Sequence, residues 1–154
     1  MNILFVCTGN TCRSAMCEAY FNSLCKAHGC ATLAAASAGT DAWEGEYASP
    51  ISVSALAQYD TEIAKHRARR LTKEMLEETD LVIAMTESHR QRVLHLDPRL
   101  SLRTRLLGEY LQSNAGPRDI ADPYGGTAEI YSLCFSGMKD ALDILFEQLR
   151  KVAK

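Results

Sequence analysis

The chain has 154 residues, of which 47% are hydrophobic and 23% are charged, and its formal net charge is −2. This length suits one domain that buries most of its apolar side chains without disulfides or metals. The near-neutral charge gives no indication of a nucleic-acid partner, and no apolar stretch approaches the roughly 20 residues that span a bilayer. We therefore expect a single domain over residues 1–154, with neither nucleic acid nor a membrane as its partner.

The cysteines and the first residues bear on the cellular compartment. The chain does not start with a basic segment followed by a long apolar run, so no signal peptide is expected. We predict a cytoplasmic protein whose cysteines are thiols. They lack the paired short spacing of a zinc site, and neither a metal nor another cofactor is expected. The six cysteines are Cys7, Cys12, Cys17, Cys25, Cys30 and Cys134.

Apolar runs typical of strands alternate with apolar patterns of helical period along the chain. The predicted strands cover about 2–6, 32–36, 80–85 and 102–107. The predicted helices cover about 14–28, 50–59, 72–79, 86–96 and 127–152. Strands that alternate with helices form a parallel sheet covered on both faces, so we predict a three-layer α/β fold. In such sheets ligands bind at the carboxyl ends of the strands.

Threonines precede three of the predicted helices, and the last helix carries a long apolar stripe. Thr72, Thr86 and Thr127 are expected N-caps, because a threonine hydroxyl accepts one of the free N–H groups of the first turn. The stripe is expected to pack into the core rather than to bind a ligand. Its members are Ile130, Cys134, Met138, Ala141, Leu142, Leu145, Leu149 and Val152.

The first predicted strand leads into residues 7–14, which read Cys-Thr-Gly-Asn-Thr-Cys-Arg-Ser. Gly9 and Asn10 permit the backbone angles of a tight loop before the next helix. Free N–H groups at a helix N-terminus, together with the helix dipole, favour a phosphate or another oxyanion. Cys7 at the base of such a loop is placed to attack phosphorus, which indicates phosphate removal through a cysteinyl-phosphate. The alternative is a buried cysteine in an ordinary strand-to-helix turn.

Residues 111–126 form a long irregular segment, and long ordered loops are often functional. Within it, Pro123 restricts the preceding Asp122 to an extended backbone, which gives the carboxyl group a defined direction. A phosphatase needs a group that protonates the departing atom and later deprotonates a water, and one carboxyl can do both. We assign this role to Asp122, with Asp119 as the nearest competitor. An ordinary Asp-Pro turn is the alternative without catalysis.

Five stretches together resemble the low-molecular-weight protein phosphatases, and the resemblance covers the chain nearly end to end. They are residues 7–14, Ser37-Ala38-Gly39-Thr40, His66-Arg67-Ala68-Arg69, Asp80-Leu81-Val82-Ile83-Ala84-Met85 and Asp122-Pro123-Tyr124. The resemblance implies a four-stranded parallel sheet, a phosphate-binding loop after the first strand, and catalysis without a metal. Ala15 departs from the family, which commonly has proline at this first helical position, where proline favours helix entry and does no chemistry.

By this resemblance Cys7 is the nucleophile, Arg13 grips two phosphoryl oxygens, and Asp122 serves as acid and then as base. Ser14 would donate a hydrogen bond to the thiolate of Cys7, and the main-chain N–H groups of residues 8–13 would cradle the phosphate. The expected phosphate-binding residues are therefore Thr8, Gly9, Asn10, Thr11, Cys12, Arg13 and Ser14.

The resemblance also implies residues that support this loop. Asn10 would be held by Ser37 and His66, so that the loop keeps its shape without a ligand. For His66 the alternative is a solvated position in a basic run, and the arginines of that run are interpreted as a solvated face: Arg67, Arg69 and Arg70.

Among the cysteines after Cys7, one has a predicted redox role and four are assigned to packing. The resemblance implies that Cys12 would form a reversible disulfide with Cys7 after peroxide oxidation, and a small residue packed beneath the loop is the alternative. The four assigned to packing are Cys17, Cys25, Cys30 and Cys134.

Thr11 carries the substrate prediction. Tyrosine phosphatases of the family usually have an aliphatic residue there, whereas this threonine resembles the bacterial protein-arginine phosphatases. A hydroxyl suits a flat, polar guanidinium better than a branched hydrocarbon does. Trp43 and Tyr124 are expected as pocket walls and would suit a phenyl ring, although guanidinium groups also stack on aromatic rings. We predict phosphorylated proteins as substrates, with phosphoarginine favoured and phosphotyrosine as the alternative.

Two other classes of protein share parts of this pattern. Arsenate reductases on the same scaffold need further cysteines beyond the middle of the sheet, and residues 31–133 contain none. A phosphopeptide-binding module without activity has no use for a nucleophile, so the presence of Cys7, Arg13 and Asp122 argues against it.

Overall fold

The computed structural model describes residues 1–111 and 118–153, and its centre is a parallel sheet of four strands in the order β2-β1-β3-β4. The strands are β1 (Asn2–Cys7), β2 (Ala34–Gly39), β3 (Leu81–Ala84) and β4 (Thr104–Leu106). The helices are α1 (Arg13–Ala27), α2 (Pro50–Ala57), α3 (Lys73–Glu77), α4 (Glu87–Leu96) and α5 (Ala128–Val152), with 3-10 helices at Pro98–Arg103 and Leu107–Tyr110. This arrangement confirms the predicted α/β fold. Part of the irregular segment predicted at 111–126 lies outside the described residues.

Two predicted strands have different limits in the structure. β2 begins at Ala34 and continues to Gly39, past its predicted end, because its last three residues still pair with the end of β1. The strand predicted over 102–107 is reduced to Thr104–Leu106, since the residues before it form the 3-10 helix Pro98–Arg103.

The side chains of β1 alternate between two cores, as the twofold period of a strand requires. Ile3 and Phe5 pack with α1, α2 and α5 on one face of the sheet. Leu4 and Val6 pack with α3 and α4 on the other face. β1 is therefore an apolar strand buried on both sides, and the loop that follows it starts from the interior of the sheet.

The buried face of α5 differs in part from the predicted stripe. Ile130 and Val152 are exposed, at 48% and 75%, because Ile130 lies at the edge of the buried face and Val152 lies in the last turn. Cys134 and Leu149 are only partly buried. The residues of α5 that are buried in the core are Tyr131, Phe135, Met138, Ala141, Leu142, Leu145 and Phe146.

The three predicted threonine caps are confirmed. The hydroxyls of Thr72, Thr86 and Thr127 each accept the N–H of the residue three positions later, at 3.2–3.3 Å. In the described parts of the chain, no helix combines the length and the apolar character needed to cross a membrane.

Candidate active site

The candidate nucleophile lies where the central strand ends and the loop to α1 begins. Cys7 is the last residue of β1, and its side chain is buried. Its Sγ lies 2.8 Å from Ser14 Oγ and accepts the main-chain N–H of Asn10 at 3.3 Å. Ser14 Oγ also accepts from Asn10 Nδ2 at 2.8 Å, and its own proton can point to the sulfur or to the more distant Ala38 carbonyl at 3.5 Å. The structure thus brings Cys7 and Ser14 together as the sequence predicted.

Three main-chain N–H groups of the loop after Cys7 have no main-chain partner in the part of the chain that the structure describes. The three belong to Gly9, Thr11 and Cys12. They precede Arg13, the first residue of α1, and so lie at the positive end of the helix dipole. All three residues line the same cavity as the thiol. Such a nest of N–H groups suits the oxygens of a tetrahedral oxyanion.

Asn10 holds the loop in shape from inside. Its φ of 58° is left-handed, a conformation that asparagine tolerates better than most residues, and the residue is fully buried. Its Nδ2 donates to Ser14 and Ser37, and its Oδ1 accepts the main-chain N–H of Arg69 at 2.9 Å. His66 Nε2 lies 2.6 Å from the Asn10 carbonyl oxygen, and because a carbonyl only accepts, Nε2 carries the proton. Ser37 and His66 are therefore placed as the resemblance implied.

Two further residues complete this network, and the sequence analysis did not assign them to it. Glu18 of α1 accepts the hydroxyl proton of Ser37, and its Oε2 lies 3.9 Å from His66 Nδ1. The guanidinium of Arg69 donates to the Ser37 carbonyl at 3.2–3.3 Å. Arg69 is exposed, in agreement with the solvated face predicted for this run, and its guanidinium reaches Ser37 because its segment runs along the end of β2. Glu18 stands one helical turn after Ser14, a spacing that could have indicated its position.

Gly39 allows β2 to approach the loop of residues 7–14, the phosphate loop, closely. A Cβ at this position would lie 2.4 Å from the carbonyl oxygen of Thr8 and 3.0 Å from the main-chain nitrogen of Asn10. Both are backbone atoms that cannot yield without moving the loop. A side chain at position 39 would therefore displace the loop that surrounds the nucleophile.

Arg13 and Asp122 contact each other across the cavity. Arg13 is almost fully buried, and its Nη2 lies 3.4 Å from Asp122 Oδ2, while its Nη1 donates to the Ile120 carbonyl at 2.9 Å. Asp122 Oδ1 accepts the N–H of Tyr124 at 3.0 Å. This local turn, in addition to the proline between them, directs the carboxyl group toward the cavity.

Asp119, the competitor for the acid role, has a different environment. Its Oδ1 accepts the main-chain N–H of Glu87 at 2.9 Å. Asp122 lines the cavity that holds the thiol, and Asp119 is not among the described residues that line it. The geometry therefore favours Asp122 as the acid.

His89 connects α4 to the phosphate loop. Its Nε2 lies 2.7 Å from Thr8 Oγ1, and its Nδ1 lies 3.0 Å from Thr86 Oγ1. Burial, assisted by the positive charge of Arg13, lowers the pKa of His89 to about 4. The imidazole is therefore neutral at neutral pH, and each ring nitrogen has a hydroxyl partner.

A cavity of about 340 Å³ lies above the nucleophile. Trp43 and Tyr124, the predicted pocket walls, line it and are 80% and 81% exposed. Asp41 and Glu46 also line it, and no pattern in the sequence marked them. Ser14, expected among the phosphate-binding residues, is fully buried and supports the sulfur instead. The lining residues are Cys7, Thr8, Gly9, Asn10, Thr11, Cys12, Arg13, Asp41, Trp43, Glu46, Asp122 and Tyr124.

The remaining thiols are mostly enclosed. Cys12 Sγ lies 3.3 Å from the Tyr131 hydroxyl. Burial raises the pKa of Cys25 and of Cys134 to about 11, and that of Cys17 well above its ordinary value. These three environments agree with the packing role predicted for them. Among the described residues, no group of three or more His, Cys, Asp or Glu side chains is placed to hold a metal ion.

Fold and site together define an α/β protein with a cysteine-based oxyanion loop between the central strand of a parallel sheet and the following helix. The sequence profile described as "Low molecular weight phosphotyrosine protein phosphatase" matches residues 2–154, and the chain belongs to this family. The predicted class, a phosphoprotein phosphatase, is confirmed by this membership and by the relatives.

Relatives with two named specificities are similar over nearly their whole length. The protein-arginine-phosphatase of Bacillus subtilis (strain 168) is 39% identical over 152 residues, which are 98% of each chain. The low molecular weight protein-tyrosine-phosphatase of Streptomyces coelicolor is 35% identical over 154 residues, 97% of this chain and 93% of the relative. The solved structure of a YwlE arginine phosphatase mutant with a phosphorylated active-site serine superposes with a TM-score of 0.89 at 37% identity, covering 98% of this chain and 97% of that one.

Proposed function

We propose that the protein hydrolyses phosphorylated protein side chains through a phosphocysteine on Cys7, and that phosphoarginine is its preferred substrate. The observation that carries the reaction is the environment of the thiol. It lies within hydrogen-bond distance of Ser14 and lines one cavity with Arg13, Asp122 and the loop residues whose N–H groups have no main-chain partner among the described residues. A cysteine that only packs needs none of these groups. The predicted cytoplasmic location belongs to the same proposal and is supported by six free thiols.

In the first step the thiolate of Cys7 attacks phosphorus in line with the P–N bond of phosphoarginine. The S–P bond forms as the P–N bond breaks, and the carboxylic proton of Asp122 goes to the departing guanidine nitrogen. The loop N–H groups and Arg13 stabilise the three phosphoryl oxygens. The Arg13 guanidinium and the Asp122 carboxyl group lie 3.4 Å apart. When a phosphoryl group binds, its oxygens accept from the guanidinium, and the carboxyl group becomes available to protonate the leaving nitrogen.

In the second step a water attacks the phosphocysteine. The carboxylate of Asp122 takes a proton from that water, a P–O bond forms, and the S–P bond breaks. Inorganic phosphate and the Cys7 thiolate are the products, so the enzyme is restored with no other reactant. The buried contacts of Asn10 keep the loop in the same shape throughout the cycle.

The polar rim of the cavity supports phosphoarginine. Thr11 adds a hydroxyl, and Asp41 and Glu46 add carboxylates, to a cavity that must receive the leaving group. A guanidinium offers N–H donors to such acceptors, whereas the ring of phosphotyrosine offers none. The naming of the Bacillus subtilis relative as a protein-arginine-phosphatase supports the same choice.

The test is kcat/KM on matched phosphoarginine and phosphotyrosine peptides, with Cys7→Ser as the blank. The wild type should prefer phosphoarginine. Thr11→Val keeps the shape of Thr11 and removes its hydroxyl, and should lower kcat/KM for phosphoarginine about tenfold, the equivalent of one hydrogen bond. Thr11→Ile should shift the preference toward phosphotyrosine.

A tyrosine phosphatase is the second candidate, because Trp43 and Tyr124 present two exposed rings at the mouth of the cavity. Preference of the wild type for phosphotyrosine would establish it and refute the arginine assignment. Phosphate binding with no turnover of either peptide would indicate a binding module. Thiol-dependent arsenate reduction, which should be absent, tests the remaining rival.

A further inference from the structure

Three successive hydrogen bonds of Asp119 and Ile120 attach the segment that carries Asp122 to the rest of the protein. Asp119 Oδ1 accepts the N–H of Glu87 at 2.9 Å. Ile120 donates its N–H to the Met85 carbonyl at 2.8 Å and accepts the Arg13 guanidinium at 2.9 Å. In the first contact, a carboxylate of the segment binds the start of a helix, because Glu87 is the first residue of α4.

We propose that Asp119 is a positioning residue, whose bond to the first N–H of α4 sets the place of Asp122 relative to the nucleophile. The inference rests on the proposed function above, in which Asp122 is the acid. A carboxylate at a helix N-terminus is held by the free N–H groups and by the helix dipole. Only two residues separate Asp119 from Asp122, so a shift of one moves the other.

The same turn of α4 also holds the phosphate loop. His89 Nε2 lies 2.7 Å from the hydroxyl of Thr8, the residue that follows the nucleophile. The loop of the nucleophile and the loop of the acid come from different parts of the chain, and both are bound to one rigid turn. That turn therefore helps to set their separation, together with the direct contacts of Arg13 to Ile120 and Asp122. General acid catalysis needs this separation to be accurate, since an error of about 1 Å can cost roughly 100-fold in rate.

Variants of Asp119 separate positioning from acid catalysis. Asp119→Ala removes the acceptor of the Glu87 N–H, whereas Asp119→Asn keeps an oxygen there and cannot supply the reaction with a carboxylic proton. The readout is kcat/KM on phenyl phosphate, whose leaving group needs a proton, and on dinitrophenyl phosphate, whose leaving group departs without one. kcat/KM reports phosphocysteine formation alone, so the later water step does not enter.

We expect Asp119→Ala to lower kcat/KM for phenyl phosphate about 10- to 100-fold, and for dinitrophenyl phosphate less than about threefold. Asp119→Asn should stay within about threefold of the wild type on both. Asp122→Asn is the reference for complete loss of the acid and should show the largest difference between the two substrates. A residue needed only for folding would reduce both rates alike.

The partner of the bond offers a second, matched pair of variants. Glu87→Pro removes the N–H from a first helical position, where proline is tolerated, and should behave like Asp119→Ala. Glu87→Ala keeps the N–H and loses only the side chain, which accepts from Arg90 and Gln91, and should behave like the wild type. The double variant Glu87→Pro/Asp119→Ala should be no slower than either single variant.

The proposal is refuted if Asp119→Ala or Glu87→Pro leaves the ratio between the two substrates unchanged. Equal losses in Asp119→Asn and Asp119→Ala would also overturn it, because they would make Asp119 itself the acid. If Asp119→Ala does not fold, the two Glu87 variants decide the question. If the wild type hydrolyses none of the three substrates, the two aryl phosphates and a phosphoarginine peptide, the proposed function itself is refuted.

Discussion

Replacing Asn10 by alanine should destabilise the protein by an amount that its contacts define. The substitution removes three side-chain hydrogen bonds, to Ser14, Ser37 and the N–H of Arg69. Three such bonds at about 1 kcal/mol each, and about 1 kcal/mol for alanine in a left-handed conformation, give about 4 kcal/mol. A domain of this size has a free energy of unfolding of about 5–15 kcal/mol, so the variant should fold with a much reduced margin.

Urea unfolding followed by far-UV circular dichroism measures this change. Ser37→Ala provides the control, since it removes one of the three partners. Ser37→Ala should lower the free energy of unfolding by about 1 kcal/mol less in the Asn10→Ala variant than in the wild type, because the effects of substitutions at contacting residues do not add. A loss below about 1 kcal/mol in Asn10→Ala, or full additivity with Ser37→Ala, would refute the view that this side chain holds the loop.

Three further outcomes test the site. Asp122→Asn should lower kcat on a phosphoarginine peptide at least about 100-fold, the usual contribution of a general acid, and an unchanged kcat would exclude Asp122 from the chemistry. His89 has a pKa of about 4 in the folded protein and about 6.5 unfolded, so the unfolded chain binds the extra proton between these values. The free energy of unfolding should therefore fall as the pH drops from about 6.5 to about 4, with a flatter profile in His89→Gln, and parallel urea profiles would contradict this. After peroxide treatment, dithiothreitol should restore activity to the wild type and not to Cys12→Ser, and equal recovery in both would remove the redox role of Cys12.

The parts of the site that could be predicted from the sequence are those within one short segment. Cys7, Arg13 and Ser14 belong to a loop whose geometry follows from a strand, a glycine-asparagine pair and a helix start. The contact between Cys7 and Ser14 spans only seven residues, so local rules suffice to place these side chains in one loop. The three threonine caps were predictable for the same reason.

The parts that could not be predicted depend on distant contacts. Arg69 reads as one arginine in a basic run, and only the pairing of its segment with the end of β2 brings it to Asn10 and Ser37. Likewise Asp119 and Asp122 are both acidic residues in one irregular segment. The sequence preferred Asp122 as the acid because of Pro123, but their different surroundings, the start of α4 for Asp119 and Arg13 for Asp122, are known only from the structure.

By itself the sequence determined the kind of fold, the loop of the nucleophile and the class of chemistry, because strand and helix periods, caps and the 7–14 motif act over a few residues. Only the tertiary structure decided that Asp122 lines the cavity while Asp119 binds α4, that Glu18 and Arg69 join the network around Asn10 and Ser37, and which face of α5 is buried. The physical reason is that these depend on how separate elements pack, and packing distances are not encoded in any local pattern.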